Sequence, residues 1–554
     1  MNKLIFPSLL NRNILTLLFI LFIASFLRLY NIFYVPPSAS LDEVSIGYNA
    51  YSVLKTGGDE YGNKFPLLLR AYDDWRPALY VYLVAPFVQI FGLDVLAVRL
   101  PSIILSALTV IATYFLVREL FAKRETTLAL LSGLLLAISP WHVYISRLGH
   151  EANAGFAFVV FATLFFVKTM NNLNNKFYLF ISAIFFSLSL YTYQSEKVFV
   201  PLLIISLVVL YRKELLRIKK YFLLSLIIFI IFTVPIFVAS LSPNALIRFS
   251  GTSVFSNHPL YVQNAKKFIK AKESNDIVGQ IINNRKFTSF YIFASQYLSH
   301  PDPKWLFQNS GNESFKAPNV GLFYFWQLPL MLIGIIIFIL TKKFLAKTKV
   351  IVILWIAFSF IAPAITTEVP HAMRAYNVLP AFILMIAVGL VEGMSLIKEG
   401  SIKKTSILLI TVIAVIEFIN FSRSYFVLFP KYQSDSFQYA LSKAIPFVLD
   451  NEKHYDRVIF SNEKNLYQSY MFFLFYSKYD PVVYQKEGGT KSGGFAEIHS
   501  FDKYEFRPIK WEKENKDPDI VYIGNNEDFP ENVETIKTVN YLNGELRVKI
   551  VEGN

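Results

Sequence analysis

Long apolar runs recur from the start of this 554-residue chain to about residue 427, and they limit its fold more than any other feature. The first, "NILTLLFILFIASFLRLYNIFY", is too long for the core of a cleaved leader and lacks a small-x-small cleavage site, so it reads as a retained span and signal anchor. Further runs lie near 97–118, 126–140, 153–170, 177–193, 197–211, 220–241, 323–341, 349–366, 376–397 and 405–427. Lipid offers the backbone no hydrogen-bond partners, so runs of this kind must be helices. Only 17% of residues are charged and 54% are hydrophobic, whereas about one quarter of a soluble domain is charged. A polytopic α-helical membrane protein follows, with about 11 spans of roughly 20 residues or a little less.

The run "PALYVYLVAPFVQIFG" at 77–92 resembles another span, but counting it would put the basic loop "YRKELLRIKKY" on the wrong side. It is therefore read as an interfacial helix, in keeping with Tyr80, Tyr82, Phe87 and Phe91. The loops "RELFAKRE", "KTMNNLNNK", "YRKELLRIKKY", "TKKFLAKTK" and "IKEGSIKK" are short and basic, as cytoplasmic loops are. The net charge of +14 thus reads as orientation in a cell membrane rather than a nucleic-acid groove. The amino terminus is then cytoplasmic, and the long connections 34–96 and 242–322 face outward. The spans form one domain, 1–428, and 429–554 changes character. Pieces such as "RVIFS", "IVYIG" and "LRVKIV" predict a small extracytoplasmic α/β domain there.

Ionisable groups at span ends are costly, so their placement is informative. Here they gather on the outward side: Asp42, Glu43, Asp73, Asp74 and Arg76; then His142, Arg147, His150 and Glu151; then Glu196 and Lys197; then Glu368, His371 and Arg374. Each has a plainer reading. Asp42 and Glu43 equally suit the start of a helix at "DEVSIGYNAYSVL", "DDWRP" a solvated loop, Glu196–Lys197 a turn, and Arg374 an interfacial cation. Four loops placing such groups on one face is more than a passive anchor needs. Nucleotide-binding and hydrolase motifs are absent. Charge within spans is sparse, Glu417 and the end-positioned Arg99 apart, which disfavours the alternative of a transporter or flippase of lipid-linked sugars. With no cysteine, neither disulfides nor thiolate metal sites are available.

The first span followed by "LDE", then "DDWRPALYVYLVAPFVQIFGLDVLAVRLPS", "SPWHVYISRLGHEANAG", "LSLYTYQSEKVFVPLL" and "PAITTEVPHAMRAYNVLP", resemble in order the GT-C superfamily of integral-membrane glycosyltransferases. The resemblance covers roughly 1–400 and is to the protein mannosyltransferase and aminoarabinose-transferase-like branch. It implies transfer of a sugar from a polyprenyl-phosphate carrier to a lipid, glycan or protein acceptor on the outer face. A carboxylate strips the acceptor's proton as it attacks, and the phosphate leaving group needs cations rather than protonation. On this resemblance Asp42 is the base, Glu43 its supporting neighbour, and Arg76 a basic group near the lipid phosphate. His371 and Arg374 supply further phosphate contacts, and Arg147, Glu196 and Lys197 line the substrate side. The chain has "WRP" where related enzymes often have Lys-Pro, and Asp74 just upstream is an alternative base. Tyr48, Tyr72 and Trp75 are read as packing rather than sugar-stacking residues. Some superfamily members use a divalent ion and this branch generally does not, so no metal is assigned.

Overall fold

A computed structural model of the chain describes residues 8–72, 74–122, 125–243, 245, 251–308, 313–492, 494, 497–544 and 547–553. Asp73 lies outside them. Every apolar run singled out above is a helix. Among the described residues, seven helices are long and apolar enough to cross a membrane, the first of them within Ser8–Leu29, and an eighth arises if Thr126–Ile138 and Pro140–Ser146, bent by 55°, form one span. That is fewer than the 11 expected. The difference lies in Phe177–Leu190, Glu196–Leu210 and Gln327–Leu340, which have 14, 15 and 14 residues and fall short of a full bilayer crossing. Leu79–Phe91, the expected interfacial helix, has only 13 residues.

Close helix contact is enforced by small residues. A Cβ on Gly334 would stand 1.8 Å from the Met385 carbonyl oxygen, and one on Gly389 would stand 1.9 Å from that of Leu330. Only glycine at both positions lets Gln327–Leu340 and Leu379–Leu396 meet backbone to backbone. Glu417, the one acid noted midway in a span, accepts the Phe325 and Trp326 N–H groups at 2.6 and 3.1 Å, next to the start of Gln327–Leu340. It completes a helix terminus.

The segment 34–96 is ordered rather than loose. It holds the helix Leu41–Thr56, an antiparallel hairpin pairing Leu68–Ala71 with Asp74–Pro77, and Leu79–Phe91. Beyond residue 429 lies a six-stranded mixed sheet with the order 499–501, 504–506, 457–460, 520–525, 547–552, 537–540. The three strands expected from sequence are its central and carboxyl-terminal members. Its helix Ser469–Ser477 packs against Leu41–Thr56, and a Cβ on Gly47 would lie 2.5 Å from the Phe475 ring. Apolar residues from Ile20 to Ile550 form one continuous core.

Between the first loop and this region sits Glu60, fully buried. Its carboxylate accepts from Asn49 Nδ2 at 3.1 Å, Tyr470 OH at 3.2 Å and Thr490 Oγ1 at 2.7 Å. Burial outweighs these bonds and pushes the Glu60 carboxyl up to about 7.

Candidate active site

Ser40 caps Leu41–Thr56, accepting the Glu43 N–H while Glu43 accepts the Ser40 N–H at 2.8 Å. This reciprocal pair fixes the helix start. Consecutive side chains stand about 100° apart around a helix, so Asp42 and Glu43 enter different surroundings. Glu43 is buried against Arg99, whose Nε donates to it at 2.7 Å, and it also accepts the Gly149 N–H at 2.8 Å. Arg99 in turn donates to the carbonyls of Ile32 and Ser38. The Glu43 side chain is 1% exposed and that of Asp42 is 47% exposed.

The Asp42 carboxylate accepts from Arg76 Nη1 at 3.0 Å. Arg76 comes from the hairpin strand Asp74–Pro77 and is buried. Burial alone would lower its affinity for the proton, but the Asp42, Glu151 and Asp74 carboxylates outweigh this and hold the guanidinium charged. Asp74 Oδ1 accepts the Trp75 N–H at 2.8 Å. The other Asp42 oxygen faces His150 Nε2 at 3.8 Å. His150 caps Glu151–Asn171, its Nδ1 accepting the Ala152 N–H at 3.1 Å. In the neutral ring Nε2 therefore carries the proton, directed at Asp42.

Lys197 and Arg374 line one cavity of about 270 Å³ together with Tyr193, Gln194, Ser240, Thr252 and Thr366. Lys197 Nζ donates to Ser240 Oγ at 2.8 Å. Arg374 Nη1 donates to Thr366 Oγ1 at 2.9 Å and to the Thr367 carbonyl at 2.5 Å. Two contacts join this cavity to the Asp42 cluster. Gln194 Nε2 donates to the Trp75 carbonyl at 3.2 Å, and the Tyr193 ring lies 5.7 Å from that of His150.

Three residues expected on the substrate side also make contacts within the protein. Arg147 is fully buried and donates to the carbonyls of Leu27, Arg28 and Val35, closing the end of the first helix. Both Glu196 oxygens accept from Asn377 Nδ2, at 2.9 and 2.8 Å. His371 Nδ1 meets Glu313 Oε1 at 3.1 Å, and its backbone N–H donates to His300 Nε2 at 3.4 Å. Burial, then the cations Arg374 and Lys316 and the rings of His150 and His300, drives the His371 imidazole well below its usual range. A neutral ring is a poor phosphate anchor. Tyr48 and Tyr72 are buried, the latter donating to the Leu41 carbonyl at 2.9 Å, so both pack as expected.

Two residues at the centre went unassigned in the sequence. His150 was visible as the polar residue before an apolar run, a capping position. Glu313 pairs with Lys316, accepts the Ala372 N–H at 2.8 Å and holds the His371 segment, and nothing in "NES" signals that. Among the described residues, no group of three or more His, Asp or Glu side chains is arranged to hold a metal ion. A larger apolar cleft of about 930 Å³ lies between the first helix and Ser401–Arg423, lined by side chains such as Phe22, Leu131 and Phe418.

The overall fold is similar to that of ArnT from Cupriavidus metallidurans, solved in the apo state (TM-score 0.54, 11% identity, 98% of each chain) and bound to undecaprenyl phosphate (TM-score 0.53, 10% identity, 98% of each chain). The chain has the GT-C fold. The same GT-C architecture relates it to the archaeal oligosaccharyltransferase AglB from Archaeoglobus fulgidus, in complex with an inhibitory peptide and a dolichol-phosphate (TM-score 0.50, 14% identity). That match takes in 84% of this chain, which spans 63% of the AglB chain. Residues 75–237, from Trp75 through the Lys197 loop, match the family model for dolichyl-phosphate-mannose-protein mannosyltransferase. Comparison with curated protein sequences yields no match.

Proposed function

We propose that this GT-C chain transfers a sugar from a polyprenyl-phosphate carrier to an acceptor at the membrane surface, with Asp42 as the base. The observation that carries the reading is the contrast between adjacent acids. Asp42 keeps half its side chain open to solvent while held by Arg76 and faced by His150, and Glu43 is wholly enclosed. An enclosed, fully paired carboxylate cannot reach a substrate. The open one is rigidly aimed and accessible, as a general base must be.

In the proposed step, the acceptor hydroxyl or amine attacks the anomeric carbon and gives its proton to Asp42. The bond from that carbon to the phosphate oxygen breaks on the opposite face, inverting the centre, and the electron pair leaves with the polyprenyl phosphate. Lys197 and Arg374, converging on the adjoining cavity, offer the positive charge that the departing phosphate requires. Arg76 is engaged by Asp42, so its part is to hold the base and balance its charge. His150 Nε2 faces the same carboxylate at 3.8 Å, close enough to help orient it without a direct hydrogen bond. The lipids named for ArnT and AglB, undecaprenyl phosphate and dolichol-phosphate, are of the class this step releases once the sugar has been transferred. The site face is proposed to be the outer one, opposite the short basic loops.

Asp42→Asn in purified protein should abolish transfer from a polyprenyl-phosphate sugar while polyprenyl phosphate still binds. Retained transfer would remove Asp42 as the base. Mass spectrometry of envelope glycolipids and glycoproteins from a strain lacking the chain would identify sugar and acceptor together.

A further inference from the structure

The connection between Lys219–Ser240 and Gln327–Leu340 carries three helices, Pro259–Glu273, Ile277–Asn283 and Arg285–Ser299, packed on one another. Their inward sides are small or apolar: Ala271, Gly279, Thr288 and Ile292 are buried. Their outward sides are not those of a soluble loop. On the middle helix Ile277, Val278, Ile281 and Ile282 are 46–72% exposed. On the last, Phe287, Phe290, Tyr291 and Leu298 form an exposed stripe at helical spacing, 41–66% exposed. Val262 and Ile269 continue it on the first. An apolar surface of this extent is not left to water.

Two further observations say what covers it. The segment is basic, with Lys266, Lys267, Lys270, Lys272, Arg285 and Lys286 against Glu273 and Asp276. It is also tethered at both ends by strongly apolar helices, Lys219–Ser240 and Gln327–Leu340, whose large apolar side chains are likewise outward-facing. A cationic, amphipathic helical unit emerging between such helices meets the bilayer before it meets any other partner.

We propose that residues 259–299 form an interfacial platform, seated apolar face down in the lipid leaflet on the side of the Asp42 site, with its basic residues on anionic headgroups. Arg285–Ser299 runs from this platform to the site. Tyr297 OH donates to the Ala357 carbonyl at 2.8 Å, and His300, the next residue after the helix, receives the His371 N–H. The platform thereby sets the height of the membrane surface against the site. The inference does not depend on the identity of the reaction.

The chain contains no cysteine, so single nitroxide labels are clean. Labels at Val278→Cys, Ile282→Cys and Phe290→Cys are compared with Asn275→Cys and Lys267→Cys in nanodiscs of phosphatidylglycerol or of phosphatidylcholine. The expected result is a several-fold higher ratio of collisions with oxygen to collisions with a water-soluble nickel chelate at 278, 282 and 290 than at 275 and 267. That ratio should be larger in phosphatidylglycerol and should fall there when Lys266, Lys267, Lys270 and Lys272 are changed to glutamate. Equal chelate access at all positions would overturn the seating in lipid. So would spin–spin broadening that scales with occupancy per disc, which would mean that a second copy covers the face. Equal ratios in the two lipids would overturn the anionic preference.

Discussion

Two sets of basic side chains lie along the same face of this molecule and do opposite work. Arg28, Arg99 and Arg147 are completely buried, and their donors go to backbone carbonyls, to the His142 ring or to a carboxylate that is itself enclosed. Arg76, Lys197 and Arg374 stand at an open carboxylate or line a cavity. The first set pins the end of the first span to the chain that follows it. On the proposed function, Lys197 and Arg374 of the second set face the substrate and Arg76 holds the base. A charge at a span end is therefore not by itself a sign of chemistry, and the useful distinction is whether its partners leave room for a ligand.

The sharpest way to break that contrast is the acidic pair. Asp42→Asn is expected to lower sugar transfer by roughly 10²–10⁴, the usual worth of a positioned base, with a smaller loss of thermal stability than Glu43→Gln causes, because the Glu151 and Asp74 carboxylates still face Arg76. Glu43→Gln should do the reverse and destabilise the fold by about 3–5 kcal/mol, because Arg99 is left buried without its counter-charge. Similar effects from both substitutions, in either assay, would erase the division. Next in size, Lys197→Ala and Arg374→Ala should each weaken inhibition by free polyprenyl phosphate roughly tenfold or more, as loss of a charge-assisted bond of about 1.5–3 kcal/mol implies. Arg147→Lys should leave that inhibition untouched while lowering the melting temperature.

A smaller effect is expected at His150. His150→Ala should slow transfer by less than about fivefold, as loss of a contact of about 0–1 kcal/mol implies. An unchanged rate would reduce His150 to a helix cap.

The mildest prediction concerns Glu60. Its carboxyl is raised in the fold to about 7 from an ordinary 4.5, chiefly by burial. The protonated form is thus the one the fold favours. This contribution is complete below about pH 4.5 and is lost as pH rises through about 7. The other titratable groups facing it are Asp59, Tyr48, Tyr61, Tyr72, Tyr470 and Tyr484. Protection of the amides around Tyr470 and Thr490, relative to their intrinsic exchange, should fall across that interval, and Glu60→Gln should remove the fall. Protection that stays constant with pH in the native chain would overturn the titration of Glu60.

Much of the fold was legible because lipid leaves a helix few alternatives: each apolar run is a helix, and the three strands read in the carboxyl-terminal part are present. Span length was less legible, because Phe177–Leu190 and Gln327–Leu340 end where backbone packing and capping stop them, not where hydropathy falls. The site was legible as a face and as types of residue, but not as partners. Glu43 meets Arg99 across 56 positions and Arg147 meets Leu27 across 120, distances at which no local pattern reports. Asp42 and Glu43 differ by one methylene and about 100° of helix rotation, and only tertiary packing decides which one is enclosed.

The contact between Gly47 and the Phe475 ring has a practical corollary for anyone exchanging parts among such proteins. The helix that presents Asp42 has one flank built by Ser469–Ser477, so that region is a jig for the proposed base and not a detachable accessory. Chimeras joined near residue 430 should lose turnover whenever the incoming partner brings a different side chain against Gly47. Restoring a flat aromatic ring at that one point should recover more activity than restoring any surface loop.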